Sequence, residues 1–396
     1  MNDSIRPGVP AGLRDMLPAE AAQARYLEEK IRGVFELWGY GEVVTPILEF
    51  ETTLAPASAA REGQDLFGFL DRDGKLLALR PEMTTAIARV AAERLAGEPP
   101  PHRLYYVGDV FRQDESQEGQ GRQFKQAGIE LIGEGNAYAD AEVILLLCEC
   151  LAAAGLNEFS VGVGQIDFLR AQLRALPISD DGRSVLKEAL ARHNRVAFEA
   201  GLRAMVADDD TVVKAMASLS LRGGADVLEA AKELALSDDA LAAVDHLETV
   251  FGLVRQEGGA GRVLVDLGII RRFDYYTGVL FDAYAAPLGF PIGGGGRYDN
   301  LLGDFGRPGQ AAGFAIGLER LHIALEESGA APRPEVARYF VYDETEPARA
   351  MSAATLFRRD GHSATCYLRP ISAKLAARLA GPGAKVVRAS DILEQE

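Results

Sequence analysis

An α+β fold is predicted for this 396-residue chain, and three observations predict it. Strand-like runs stand on both sides of a long helical stretch, so the strands must meet across an insertion. They are not separated by the regular helices that a doubly wound parallel sheet requires, which points to an antiparallel sheet with helices on one side. After a proline-containing linker, a final run alternates strand and helix on its own.

In order, residues 19–38, AEAAQARYLEEKIRGVFELW, put Ala22, Tyr26, Ile31, Val34, Phe35 and Trp38 roughly on one face of a helix that Gly39 and Gly41 punctuate. EVVTPILEF (42–50) follows as a strand. LLALRPE (76–82), HRLYYVGDVFR (102–112) and QFKQAGIELIG (123–133) also read as strands. DAEVILLLCECLAAAG (140–155) is a strongly apolar helix ending at Gly155, and FSVGVG (159–164) is the next strand. Residues 168–258, rich in Ala, Leu and charge, read as a mostly helical insertion closed by Gly258, Gly259 and Gly261. Strands resume at RVLVDLG (262–268) and TGVLFDAYA (277–285), and AAGFAIGLERLHIALEESG (311–329) starts as a strand and becomes a helix. Past AAPRPEVA (330–337) the pattern is β-α-β-α-β. The expected division is a core over 1–167 and 259–329, an insertion over 168–258, and a small α/β unit over 330–396.

Composition excludes several classes. The chain is 48% hydrophobic and 25% charged, as in ordinary globular proteins. No segment approaches the roughly 20 apolar residues of a membrane helix, and the first residues lack the apolar stretch of a secretory signal. Cys148, Cys150 and Cys366 form no CxxC pair, which fits buried thiols in a reducing cytoplasm. Five histidines without HxxxH spacing make a metal site improbable. A net charge of −16 disfavours non-specific nucleic-acid binding.

Four stretches carry chemistry. VFRQDESQEGQGRQFKQ (110–126) sets Arg112 and Arg122, suited to phosphate, around Asp114, Glu115 and Glu118, which would repel it. GGGGRYDNL (293–301) is neither GxGxxG nor a P-loop, and reads as a tight turn or a ligand cradle. RRFDYYTG (271–278) reads as a strand with half-buried tyrosines or as part of a site. LRPEMTT (79–85) places Arg80, Glu82 and Thr84 on one face of an extended chain, as an amine-binding trio or a solvated strand edge.

Taken together and in order, these segments resemble the class II aminoacyl-tRNA synthetase core, specifically the histidyl-tRNA synthetase family, over about residues 8–325. GYGEVVTPILE, with Pro46, resembles the dimer-forming motif 1; VFRQDESQEGQGRQFKQAGIELIG resembles motif 2; GFAIGLERL (313–321), with Arg320, resembles motif 3. RRFDYYTG and GGGGRYDNL resemble the two signatures of the histidine branch. The resemblance implies a histidine pocket in which Glu82, Thr84 and Gln126 hold the α-amino group. Glu130 would accept from the imidazole, Tyr275 and Tyr276 would surround the ring, Arg271 would face the carboxylate side, and Arg112 would be a further histidine-binding residue.

The same resemblance has departures. An arginine expected on the outer phosphates of ATP is Gln120, and the loop that would meet a tRNA end carries Glu115 and Glu118. About 60 residues follow the linker, where the synthetases carry an anticodon-binding domain of about a hundred, so a truncated version is expected. This pattern resembles the regulatory-subunit family of ATP phosphoribosyltransferase. It implies a cytoplasmic chain without catalytic residues or cofactor, and without tRNA as a partner. A homodimer would join a hetero-oligomer with a short-form catalytic subunit, activate it in the first step of histidine biosynthesis, and help relay feedback by histidine. Arg122 and Arg320 would be a residual anion site. The alternatives are an active histidyl-tRNA synthetase, since Arg112, Arg271 and Arg320 are present, and a stand-alone histidine sensor.

Overall fold

The computed structural model describes residues 8–58, 66–113, 121–270, 275–286, 288–331, 338–381 and 383–394. The chain divides into two compact units, Met1–Pro332 and Arg333–Glu396. The first opens with α1 (Pro18–Leu37), β1 (Gly41–Glu42), β2 (Leu48–Phe50), α2 (Glu51–Ser58), β3 (Gly68–Leu70), β4 (Leu76–Leu79) and α3 (Thr84–Glu93). The long strands β5 (His102–Phe111) and β6 (Gln123–Ile132) lead into α4 (Ala137–Ala153) and β7 (Phe159–Gln165). A helical stretch follows: α5 (Ile166–Ala175), α6 (Asp180–Ala191), α7 (Arg195–Met205), α8 (Asp209–Ser218), the short β8 (Arg222–Gly223), α9 (Asp226–Leu234) and α10 (Asp238–Val254). Then come β9 (Val263–Asp266), β10 (Val279–Ala285), β11 (Gly293–Arg297), α11 (Leu301–Asp304), β12 (Ala311–Gly317) and α12 (Leu318–Glu327).

Among the described residues, nine strands form one sheet in the order β1-β5-β6-β12-β11-β10-β7-β9-β8. Its centre, from β5 to β7, is antiparallel throughout; the flanking β1–β5 and β7–β9 pairs are parallel. Alternate residues of a strand face opposite sides, and this period builds the molecule. Ala127, Ile129 and Leu131 of β6, with Ala312, Phe314 and Ile316 of β12, join the main core beneath α1, α4, α10 and α12. On α1 the helical period brings Leu27, Ile31, Val34 and Phe35 into that core. Each such burial stabilises by roughly 1.5–3 kcal/mol. The residues that alternate with those of the core on β6, Gln126, Gly128 and Glu130, face the opposite side.

Several local expectations change. EVVTPILEF is not one strand: β1 pairs with β5, whereas β2 belongs to a separate three-stranded sheet with β4 and β3. Pro46, which has no N–H to give a ladder, sits at the break. The carbonyls of Thr45 and Pro46 accept from Arg80 Nη1, at 2.9 and 3.2 Å. Arg80 is thus a buried brace, and Thr84 opens α3, so Arg80, Glu82 and Thr84 do not share one extended face. GGGGRYDNL is no tight turn: Gly293–Arg297 is β11, near the middle of the sheet.

Helices α5 to α8 bury a core of their own, with Leu186, Leu190, Phe198, Leu202 and Val212. The partly buried Ile270 and Tyr276 pack against it. In the second unit, β13 (Arg338–Tyr342), α13 (Pro347–Arg359), β14 (Ser363–Cys366), α14 (Ala373–Leu379), β15 (Ala384–Arg388) and α15 (Ala389–Leu393) form a parallel three-stranded sheet, β14-β13-β15, with its helices.

Candidate functional site

On the sheet face opposite the main core lies a cleft of about 530 Å³. β6 sends Gln126 and Glu130 into it, β5 Tyr106, and the turn into α3 Glu82 and Thr84. Tyr275 and Tyr276 precede β10, Tyr298 follows β11, and Arg320 comes from the first turn of α12.

The floor is flat because it is made of glycine. In register across the sheet, Glu130 pairs with Gly313, and Gly313 with Gly296. A Cβ on Gly313 would stand 1.9 Å from Glu130 Oε2, so the missing side chain is the space the carboxyl occupies. A Cβ on Gly295 would stand 1.9 Å from the Gly313 carbonyl oxygen, and one on Gly128 2.5 Å from the Tyr106 hydroxyl.

Glu130 is 1% exposed. Burial disfavours its charged form and pushes its pKa up to about 8, against the opposing pull of hydroxyls from Tyr298, Thr84 and Tyr106. The carboxyl is therefore mostly protonated at neutral pH, and can both donate and accept. The Tyr298 hydroxyl donates to its Oε2. Burial also raises the Tyr106, Tyr275 and Tyr298 hydroxyls well above their usual range, so they stay neutral donors. Tyr275 stacks on Tyr298 at 5.6 Å and 17°, and meets Tyr276 edge-on at 4.9 Å and 87°. The result is an aromatic box closed at its deep end by a carboxyl.

Nearer the opening are groups of both signs. The Glu82 carboxylate accepts from the Thr85 N–H at 3.1 and 3.2 Å and keeps further lone pairs. Gln126 Oε1 is buried and accepts no hydrogen bond among the described residues, a condition that calls for a donor from a ligand. Arg112 Nε donates to the Pro81 carbonyl at 3.0 Å, with its guanidinium 5.0 Å from the Phe124 ring centre. Arg320 Nη1 donates to the Pro291 carbonyl at 3.0 Å, with its guanidinium over Phe290. Such a cleft suits a small zwitterion with a polar ring: acceptors for an ammonium, guanidinium groups for a carboxylate, and hydroxyls with a carboxyl for ring nitrogens.

Of the residues expected from sequence, Glu82, Thr84, Arg112, Gln126, Glu130, Tyr275, Tyr276 and Arg320 line this one cleft. Arg122 does not. Its backbone N–H donates to the Gly12 carbonyl at 2.7 Å, its Nη1 reaches the Ala11 carbonyl, and its guanidinium lies over Phe67 at 4.5 Å. These contacts direct it onto the N-terminal segment, and it is not among the residues that line the cleft with Arg320. Arg271, Gln120 and the acidic residues Asp114, Glu115 and Glu118 lie outside the described residues. Sequence reasoning missed Tyr106 and Tyr298. The signal for Tyr298 was its place in GGGGRYDNL; for Tyr106 it was the glycine, Gly128, directly across the ladder. Among the described residues no group of three or more His, Cys, Asp or Glu stands together to hold a metal.

The model of the histidyl-tRNA synthetase family matches residues 12–321. A curated relative from Desulforamulus reducens named "ATP phosphoribosyltransferase regulatory subunit" is 38% identical over 93% of both chains. One from Thermococcus kodakarensis named "Histidine--tRNA ligase" is 40% identical over 85% of this chain and 79% of its own. A solved structure from Bacillus halodurans, named as an ATP phosphoribosyltransferase regulatory subunit/histidyl-tRNA synthetase, superposes with a TM-score of 0.84 at 30% identity, covering 96% of this chain and 97% of that one. The fold is thus shared with a solved structure that carries both names, and regulatory subunits recur among the relatives at 38–42% identity. The chain belongs to the family of ATP phosphoribosyltransferase regulatory subunits, on a histidyl-tRNA synthetase core.

Proposed function

We infer that this chain is a non-catalytic subunit that activates a short-form ATP phosphoribosyltransferase catalytic chain in the first step of histidine biosynthesis, and that its cleft binds histidine as the feedback signal. The observation that carries the reading is the asymmetry of the cleft. Its amino-acid end brings together Glu82, Gln126, Glu130 and the tyrosines. Its nucleotide end departs from the synthetase pattern: Gln120 stands where an ATP-gripping arginine is expected, and Arg122 is held on Phe67 and Ala11. A chain so built holds the amino acid without activating it.

The reading extends to assembly and place. An apolar strip runs over β2 to β4 and the chain before it, with Val44 84% and Leu70 77% exposed beside Ile47, Leu48, Phe50 and Phe69. Water-facing strips of this kind mark interaction surfaces, and a second copy meeting it across a two-fold axis is the proposed occupant. The cytoplasm is the proposed compartment. Among the described residues, no helix is long and apolar enough to cross a membrane.

An active synthetase is the second reading, because Arg112 and Arg320 both line the cleft. Aminoacylation separates the two. The purified chain is expected not to charge histidine tRNA, whereas turnover of roughly 1 per second or more, the ordinary range of enzymes, would establish the synthetase.

A further inference from the structure

We propose that His193 is a ligand-contacting residue of the cleft, donating a hydrogen bond from the helical insertion to the carboxylate of the bound amino acid. This rests on the histidine-binding reading above. His193 occupies the turn between α6 and α7 and has φ +52°, the left-handed region. The turn closes α6 in a pattern of two bonds: the His193 N–H donates to the Leu190 carbonyl and the Asn194 N–H to the Ala189 carbonyl, each at 2.9 Å. The left-handed position of this closure is normally glycine, because a side chain there crowds the following carbonyl. This chain places an imidazole there instead. The ring is exposed, and it lines the cleft together with Ala191. Asn194 also caps the next helix, its side chain accepting from the Ala197 N–H at 2.9 Å, so the turn is held from both sides.

The ligand group it meets follows from what remains. The deep end belongs to Glu130, Tyr106 and Tyr298, all 2% exposed or less. A ligand with its ring in that end turns its ammonium and carboxylate toward the opening. Glu82 and Gln126 Oε1 are acceptors and take the ammonium. Arg112 and Arg320 bring guanidinium groups for the carboxylate, and the exposed His193 imidazole, which carries an N–H, is a third donor for the same acceptor. The contact also has a mechanical consequence. Leu186, Leu190, Phe198 and Leu202 of α6 and α7 share their core with Ile270 and Tyr276, which themselves line the cleft. Ligand in the cleft therefore bears on the insertion at two places.

The test is calorimetric titration of the full chain with histidine and with histidinol, which lacks the carboxylate. The chains compared are wild type, Glu130→Ala, His193→Gly and His193→Asn. Glycine and asparagine both tolerate the left-handed backbone, so neither should lower the thermal unfolding midpoint. Both are expected to bind histidine about tenfold more weakly and histidinol as the wild type does, while Glu130→Ala weakens both ligands. Wild-type histidine affinity in both His193 variants, or equal losses for the two ligands, would overturn the His193 assignment and leave the cleft reading standing. A wild-type chain that binds neither ligand, or a Glu130→Ala chain that binds both normally, would overturn the two together.

Discussion

Glu130 carries two separable consequences, because burial has made its carboxyl both a ligand group and a titrating group. As a ligand group it is the proposed partner of a ring nitrogen, and leaving a buried polar group without its partner costs roughly 1–3 kcal/mol. Glu130→Ala should therefore weaken histidine binding by about 5- to 150-fold; a well-folded variant with wild-type affinity would remove Glu130 from the site. As a titrating group its pKa rises from 4.5 to about 8 on folding. The folded chain then binds the proton more tightly than the unfolded one, so the protonated group's stabilisation is complete below about pH 4.5 and is lost as pH rises through 8. The ligand-free chain should melt at progressively lower temperature between pH 5 and 8, and Glu130→Gln, which cannot ionise, should flatten that slope. An identical slope in the variant would contradict a buried, protonated carboxyl.

At the scale of elements, β11 shows how a site can be hidden in a sequence. A run of glycines has low strand propensity and reads equally as turn or cradle, yet contacts across the sheet leave no room for a side chain at Gly293, Gly295 or Gly296. Gly295→Ala should destabilise by about 1–3 kcal/mol, since its Cβ would meet backbone, the Gly313 oxygen at 1.9 Å, which has no rotamer to change. Gly252, inside α10 with nothing within 4 Å of a Cβ, is the control: Gly252→Ala should stabilise by about 0.5–1 kcal/mol. Chemical denaturation of both variants checks the pair, and equal effects would contradict the steric account. The same contrast explains what was legible. The helix α1 and the strands β5 and β6 announced themselves because one periodicity runs through each, and α4 because it is apolar almost throughout. The split of EVVTPILEF did not, because it depends on Arg80 taking the Thr45 and Pro46 carbonyls from 34 and 35 residues away. Most of the cleft could be placed by motif order. Tyr298 was within reach through its place in GGGGRYDNL; Tyr106 could not be placed so, since its role depends on which strand lies opposite, and neither could His193, since the fold alone carries the insertion's turn to the cleft.

For the whole molecule, the exposed strip over β2 to β4 and the asymmetric cleft support the proposal of a subunit that works by assembly. Leu70→Glu, placing a charge in that strip, should convert a homodimer to a monomer in light scattering; a wild-type chain that is already monomeric would contradict the pairing. Activation of a partner is the larger claim, and one measurement addresses it directly. A short-form ATP phosphoribosyltransferase catalytic chain is titrated with this protein while phosphoribosyl-ATP formation is followed. The account predicts that the rate rises with added protein and saturates at a fixed ratio of the two chains, as a stoichiometric complex requires. A catalytic rate unchanged at every ratio, with the two chains eluting separately, would contradict it.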